Sequence, residues 1–493
     1  MSERTTRSQK AKPTASVPRR YPARRLAALV GVLFLVLGLL PAAASAAGPT
    51  LDVLGSPFDP NSDGKRETVR ITVNVTAPST VELRVHDFDG KRLRTLTGGT
   101  SVPDSKTWTW NGRTGAGKKV PYGPYRVRAV IHTGGKTYKR AVWVTRSKRM
   151  PYPTRPGAVT VAVDPGHGGP AAGAVWKHLS EDAVNLDIGL RLEAMLEGAG
   201  IKVVMTRRGD RNVSPVGKDL NFDGRYTRLD ELIARNDVAN QARADIHLAV
   251  HNNATACHCR RGTEMYTHFK RSWTPEGRKL ANALLKEHLW HLDRIPGFRP
   301  KSRGIKTHDF KALKPYHRQA MPRPSLQPTV LGESLFIDWP SEHGILKTRK
   351  GRTTIAAAYF DGVALYLWKR PYGLRYEVLA ASKSVVRGQA AAVRVRLTNT
   401  GHRTSSNWKL VARVVGKVAR YDGRPRRGTV VAKVPIPDGV KPGRSVEVTL
   451  PAVPMPQEVS RWLLKLDVNL PAGDSLSKHG VVGPQLHVRT VAP

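Results

Sequence analysis

The chain of 493 residues is poor in cysteine, in acidic side chains and in long apolar runs. Two cysteines, Cys257 and Cys259, cannot brace a chain of this length, which excludes a disulfide-stapled scaffold and leaves stability to hydrophobic cores. Asp and Glu number 38 against 81 Lys and Arg, a formal net charge of +43, and such a field attracts polyanions. The one extended apolar run, residues 26–40, reaches about 22 Å at ~1.5 Å per residue, short of the roughly 30 Å of a bilayer's hydrocarbon core. No permanent membrane anchor is therefore expected. The chain also lacks a repeat, a coiled coil, an acidic tail and any motif that reads a nucleic-acid groove.

What precedes and follows that apolar run has a secretory pattern. Arg4, Arg7, Lys10, Lys12, Arg19, Arg20, Arg24 and Arg25 come before it, and Ala44-Ser45-Ala46 after it fits the small-x-small rule of a cleavage site. Residues 1–47 are predicted to be a signal peptide, and the mature protein to be secreted.

The densest chemistry lies in Val161-Ala-Val-Asp164-Pro165-Gly166-His167-Gly168-Gly169. A β-branched run predicts a buried strand, which the Pro-Gly-His-Gly-Gly stretch ends, leaving His167 on a tight loop at the strand's carboxyl end. Ligands of open α/β sheets gather at that edge. Ser180 is a plausible N-cap for a helix whose apolar positions are Val184, Ile188, Leu192, Met195 and Leu196, closed by Gly198 and Gly200. Glu181 then sits in the first turn, where its carboxylate can point back at His167. A second apolar run, residues 245–250, stops at His251. Two histidines and one glutamate leave one tetrahedral zinc position open for water, the composition of a hydrolytic site. Glu333, on the apolar stretch 328–337, supplies the group that would take and return that water's proton. His247, on the same strand face as His251, is read as packing or bonding locally.

Seven ordered blocks carry a resemblance: D-P-G-H-G-G, E-x-x-x-N-L, Thr206-Arg207, R-x-x-x-x-A-N over 235–240, A-D-I-x-x-x-V-H-N-N, Gly262-Thr-Glu264 and a late V-L-x-E. Residues 159–370 resemble the zinc-dependent N-acetylmuramoyl-L-alanine amidases. The resemblance implies zinc on His167, Glu181 and His251, catalysis by Glu333, and cleavage of the amide between the lactyl group of muramic acid and the L-alanine of the stem peptide. One block departs: Leu335 stands where the family usually has a glycine, and Gly332 precedes Glu333. The implied partners are peptidoglycan and anionic cell-wall polymers, with no nucleic acid, and the implied localisation is secreted and wall-associated.

The expected fold is multidomain: a central α/β zinc amidase, with a twisted, mostly parallel sheet flanked by helices, between two all-β immunoglobulin-like sandwiches. Residues 48–148 alternate apolar and polar between Asp-Gly and Gly-Gly turns and resemble the FlgD-like immunoglobulin fold. Trp108 and Trp110 are read there as sandwich core rather than a sugar-stacking platform. Residues 149–158 form a proline-rich linker. After residue 371 the chain is strand-rich again to 493, with a fainter likeness to bacterial immunoglobulin-like sandwiches.

Two further features carry chemistry of their own. Asp219, Asn221, Asp223, Gly224 and Asp230 occupy positions 1, 3, 5, 6 and 12 of a calcium-loop pattern, with Asp230 in place of the usual glutamate, so calcium joins zinc as a candidate cofactor. The alternative is an Asx-rich turn before a helix over 231–242. The similar start at Asp59-Pro-Asn61-Ser-Asp63-Gly64 has Arg70 at position 12 and is read as a turn. Cys257 and Cys259 either close a C-x-C disulfide, the favoured reading, or form a metal clip with His258. The rivals to a wall amidase are a catalytically silent wall-binding protein and a zinc peptidase or deacetylase acting on another wall bond.

Overall fold

Near the amino terminus, residues 69–74, 79–87 and 123–133 largely alternate buried with more exposed side chains, so the sheets they form need an apolar partner face. In the computed structural model, which describes residues 48–151, 157–417 and 428–493, that partner is a second sheet. Strands β1 (Thr50–Leu54), β2 (Val69–Asn74) and β5 (Ser105–Trp110) make one sheet; β3 (Ser79–Asp87), β4 (Arg92–Val102), β6 (Gly123–Thr133) and β7 (Lys136–Arg146) make the other, in the order β4-β3-β6-β7. Val69, Ile71 and Val73 from the first sheet and Val81, Leu83, Val127 and Ile131 from the second share one core. Trp110 is fully buried in it, with Phe58 and Tyr125 each 5.3 Å away between ring centres, as the core reading requires. Residues 59–64 form a turn in which Asp63 N donates to Asn61 Oδ1 at 3.1 Å.

The central part follows the pattern of a buried parallel sheet. Its elements are β8 (Thr160–Pro165), the hairpin β9 (Val175–Trp176) and β10 (Leu179–Ser180), α1 (Glu181–Gly198), β11 (Lys202–Met205), α2 (Arg228–Gln241), β12 (Ile246–Asn253), β13 (Thr263–Tyr266), α3 (Thr274–Leu292), β14 (Ser302–Lys306), β15 (Thr329–Phe336), α4 (Pro340–Leu346) and α5 (Arg349–Lys369). The main sheet runs β11-β8-β12-β15-β13-β14, and only the β15/β13 pair is antiparallel. Every residue of β15 is buried, as expected of a strand covered on both faces. Val184, Ile188 and Leu192 of α1, Leu280 and Leu284 of α3, and Phe360 and Val363 of α5 pack on Val161, Val163, Leu248, Val250 and Leu335. On the opposite face Ala239 of α2 meets Ala162.

Two sheets again share a core beyond residue 371. One is β16 (Leu374–Ala381), β18 (Ala390–Asn399) and β21 (Ser445–Pro454); the other contains β17 (Ser384–Val386), β19 (Lys409–Lys417), β20 (Thr429–Pro435), β22 (Arg461–Asn469) and β23 (Gln485–Val491). The described residues form one compact unit. At the amino ends of the central strands, Arg370 pairs with Asp245 at 2.9 Å and also donates to Thr400 Oγ1, joining the central part to the carboxyl-terminal sheets. Among the described residues no helix is long and apolar enough to cross a membrane. The signal-peptide reading and residues 152–156 of the linker lie outside the described residues.

Candidate active site

His167 leaves the carboxyl end of β8 with φ +63°, a left-handed conformation that a non-glycine residue holds only under constraint. Two buried arginines supply the constraint. Arg235 of α2 donates to His167 O at 2.7 Å and Pro165 O at 2.9 Å and pairs with Asp164 at 2.7 Å. Arg207 donates to Gly166 O at 2.9 Å and Asp182 O at 2.7 Å, tying the loop to the start of α1. Gly166 is required for a different reason, close approach: a Cβ there would lie 2.1 Å from His251 Cε1.

Glu181 opens α1 as expected. Ser180 has the extended backbone of an N-cap but makes no side-chain cap bond. The first two amides of the helix are taken by the preceding loop: Glu181 N donates to Ala174 O at 2.8 Å and Asp182 N to Ala172 O at 3.0 Å. This anchoring turns the Glu181 carboxylate inward, where Oε2 lies 3.1 Å from His167 Nε2 and Oε1 2.9 Å from His251 Nδ1. Ala174 N and Asn185 Nδ2 also donate to it. Burial alone would raise the pKa of Glu181, but the bonds from the two imidazoles outweigh it and hold the group below the ordinary carboxylate range.

His251 sits near the end of β12, beside Glu333 of β15 in parallel register, and Glu264 of β13 is the antiparallel partner of Glu333. His167, Glu181, His251 and Glu333 all line one cavity of about 760 Å³, together with Asn212, Tyr226, Arg228 and Phe310. The ligand atoms of His167, Glu181 and His251 lie within 4.8 Å of one another, a two-nitrogen, one-carboxylate set of the kind zinc takes. Glu333 is buried and its Oε2 has no hydrogen-bond partner. Burial first, then the charges of Glu181 and Glu264, raise its pKa well above the usual value.

Sequence reasoning assigned no role to several residues that shape this site. Glu264 accepts from Asn253 Nδ2 at 2.6 Å, from Tyr266 Oη at 2.9 Å and from Arg303 Nε at 2.7 Å, and also pairs with Lys306. Asn252 donates to Asn185 Oδ1 at 2.9 Å, steadying the Asn185 amide on Glu181. The Gly262-Thr-Glu264 and Asn-Asn blocks were the available signals. His247 is fully buried, and neither ring nitrogen has a hydrogen-bond partner.

The remaining candidates fall elsewhere. Cys257 and Cys259 are joined by a disulfide beside His258, whose ring lies 4.2 Å from that of Trp176. Asp219, Asn221 and Asp223 meet at a loop tip, where Asp219 accepts from Phe222 N at 2.6 Å and Gly224 N at 2.8 Å, and Asn221 Nδ2 donates to Asp223 Oδ2 at 2.7 Å. Asp230 is committed instead to the start of α2. Its Oδ2 accepts from Thr227 N at 2.7 Å in a capping box, and its Oδ1 accepts from Leu220 N at 2.6 Å. That box begins the helix at Arg228, ahead of the 231 read from sequence. The geometry is that of an Asx-rich turn. The one other metal-sized group among the described residues, Glu287, His291 and Asp361, is already engaged: Lys148 and Arg149 pair with Glu287, and His291 Nε2 lies 2.6 Å from Asp361.

Residues 161–364 match the family model for N-acetylmuramoyl-L-alanine amidase, and residues 59–135 that for the FlgD Ig-like domain. The central segment is thus similar to the N-acetylmuramoyl-L-alanine amidases. The germination-specific N-acetylmuramoyl-L-alanine amidase of Bacillus subtilis is 26% identical over 210 residues, covering 43% of this chain and 80% of that relative. N-acetylmuramoyl-L-alanine amidase LytC of the same species is 29% identical over 209 residues, covering 42% of this chain but only 35% of LytC. Among solved structures, N-acetylmuramoyl-L-alanine amidase AmiC2 of Nostoc punctiforme aligns at 26% identity and a TM-score of 0.34, covering 43% of this chain and 99% of that one. The four cavity residues singled out from the sequence all lie within the matched amidase segment.

Proposed function

We propose that the protein is a secreted peptidoglycan hydrolase that cleaves the amide between N-acetylmuramic acid and the L-alanine of the stem peptide. The observation that carries this reading is the convergence of His167, Glu181, His251 and Glu333 on one cavity inside a segment similar to the amidases. Zinc held by His167, Glu181 and His251 would supply Lewis acidity toward the scissile carbonyl and lower the pKa of water. The atoms that would hold it already converge, His167 Nε2 against Glu181 Oε2 and His251 Nδ1 against Glu181 Oε1. The rest falls to the chain. Asn185, Arg207 and Arg235 hold the loop that carries His167. Glu333 receives the proton of the attacking water at its unpartnered Oε2 and returns it to the leaving amine. Its raised proton affinity suits a group that must hold a proton between those steps.

The carboxyl-terminal sheets are read as an immunoglobulin-like sandwich that, with the cationic surface, keeps the enzyme on the wall. Mass spectrometry of purified sacculi digested with the full chain and zinc tests the reading. Free stem peptides beginning with L-alanine, beside glycan strands of intact sugars, are expected. Glu333→Gln should lower turnover by roughly 10²–10⁴-fold while retaining metal. Cuts within the stem would favour the peptidase alternative and deacetylated sugars the deacetylase. Inactivity of a folded, zinc-loaded protein would favour the silent binder.

A further inference from the structure

The outer face of the β4-β3-β6-β7 sheet, in the amino-terminal module, is lined with cations that the amidase site does not use. Cross-strand register places Arg84 of β3 opposite Arg128 of β6, and His86 opposite both Arg126 of β6 and Arg92 of β4. Lys139 of β7 lies opposite Val130 on the same face. Like charges directly opposite on neighbouring strands are destabilising, and here the sheet holds Arg84 against Arg128. Glu82 pairs with Arg84 at 2.7 Å; among the described residues no ion pair joins a carboxylate to Arg92, Arg126, Arg128 or Lys139. Ala141, exposed and opposite Arg128, leaves the floor open, and the face is hollowed into a groove of about 570 Å³ whose lining includes Arg84, His86, Arg126, Arg128 and Lys139, with Glu82 its one carboxylate.

A second observation points to a ligand. His86 is only 9% exposed yet lines this groove, and its Nδ1 has no hydrogen-bond partner. Its pKa is lowered by burial first and then by Arg128, Arg84 and Arg92. We propose that this groove binds a linear phosphodiester polymer of polyol type, with guanidinium groups on successive phosphates. Arginine forks match phosphate oxygens in pairs. The aromatic side chain of this region, Trp143, is stacked on Phe88 at 5.7 Å and covered by Arg126 at 5.2 Å, so no free ring offers a platform for nucleobases. That favours a polyol backbone over nucleic acid. The inference stands independently of the amidase reading.

Binding of a fluorescent synthetic glycerol-phosphate oligomer to the full chain, followed by anisotropy across a salt series, tests it. Arg128→Gln with Lys139→Gln, both exposed positions, should weaken binding at least about tenfold and flatten the salt slope by roughly one for each phosphate no longer neutralised. Turnover of a soluble muropeptide should be unchanged. Arg387→Gln with Arg394→Gln, exposed in the carboxyl-terminal sheets, serves as the charge-matched control and should have little effect. Arg84→Gln alone provides a second test at a half-buried position, with thermal melting to verify the fold. Wild-type affinity in the groove variants, an equal loss in the control pair, equal affinity for a single-stranded oligonucleotide of the same charge, or binding saturated by inorganic phosphate alone would each overturn the proposal.

Discussion

Replacing Arg235 by methionine isolates the support beneath the active-site loop from the chemistry above it. The arginine is only 4% exposed, pairs with Asp164 at 2.7 Å and Glu231 at 2.9 Å, and donates to the carbonyls of Pro165 and His167. Methionine fills comparable space but leaves Asp164 as a buried carboxylate with only Thr206 Oγ1, 2.6 Å away, as a strong partner. Breaking a buried pair from one side typically costs about 3–5 kcal/mol, which in a domain of this size lowers Tm by roughly 6–20 °C. Adding Asp164→Asn removes the orphaned charge and keeps a partner for Thr206, so the double variant should recover about half of that loss. The pH dependence has a definite sign. In the wild type burial raises the Asp164 pKa, but Arg235, the leading opposing influence, and its other partners leave it lowered. Its contribution is therefore present above the unfolded pKa and lost as pH falls through the folded one. Without Arg235 burial prevails and the folded pKa rises, so the variant's deficit should grow as pH rises above the unfolded value and narrow in acid. Scanning calorimetry of the four proteins of this cycle, across pH, reads both effects. A single variant that melts with the wild type, or a double variant no more stable than the single, would refute the account.

Other outcomes follow from neighbouring geometry. His251→Ala should lower zinc stoichiometry, read by elemental analysis after dialysis, because one of the three converging donors is gone. Gly166→Ala places a Cβ against the His251 ring, so zinc affinity in a competition titration should fall at least about tenfold with circular dichroism unchanged, consistent with the sensitivity of metal sites to ligand orientation. If calcium orders the loop at 219–230, melting temperature should rise with calcium and Asp219→Ala with Asp223→Ala should erase the rise. A flat titration would leave that loop as the turn its hydrogen bonds describe.

Residues whose role is set by local pattern were legible before the fold. His167 and His251 follow apolar strand runs and Glu181 opens a helix with apolar residues at helical spacing, so periodicity places each at an element's end, and the resemblance of the ordered blocks implied that the three meet. Non-local pairing was not legible. Nothing in the local pattern of residues 328–337 states that β15 lies parallel to β12 and antiparallel to β13, yet that register sets Glu333 between His251 and Glu264, where burial first and then the charges of Glu181 and Glu264 raise its pKa. Arg207 and Arg235 were visible as members of sequence blocks, but their task of holding carbonyls of a left-handed loop depends on side chains reaching back to it from β11's end and from α2. The same distinction explains Ser180, where a loop carbonyl, that of Ala172, took the Asp182 amide that a serine hydroxyl can cap. It also bears on the cationic face of the first module. Its arginines alternate along β3 and β6 like any solvent-facing residues, and only the antiparallel register sets Arg84 against Arg128, turning a diffuse excess of charge into a groove.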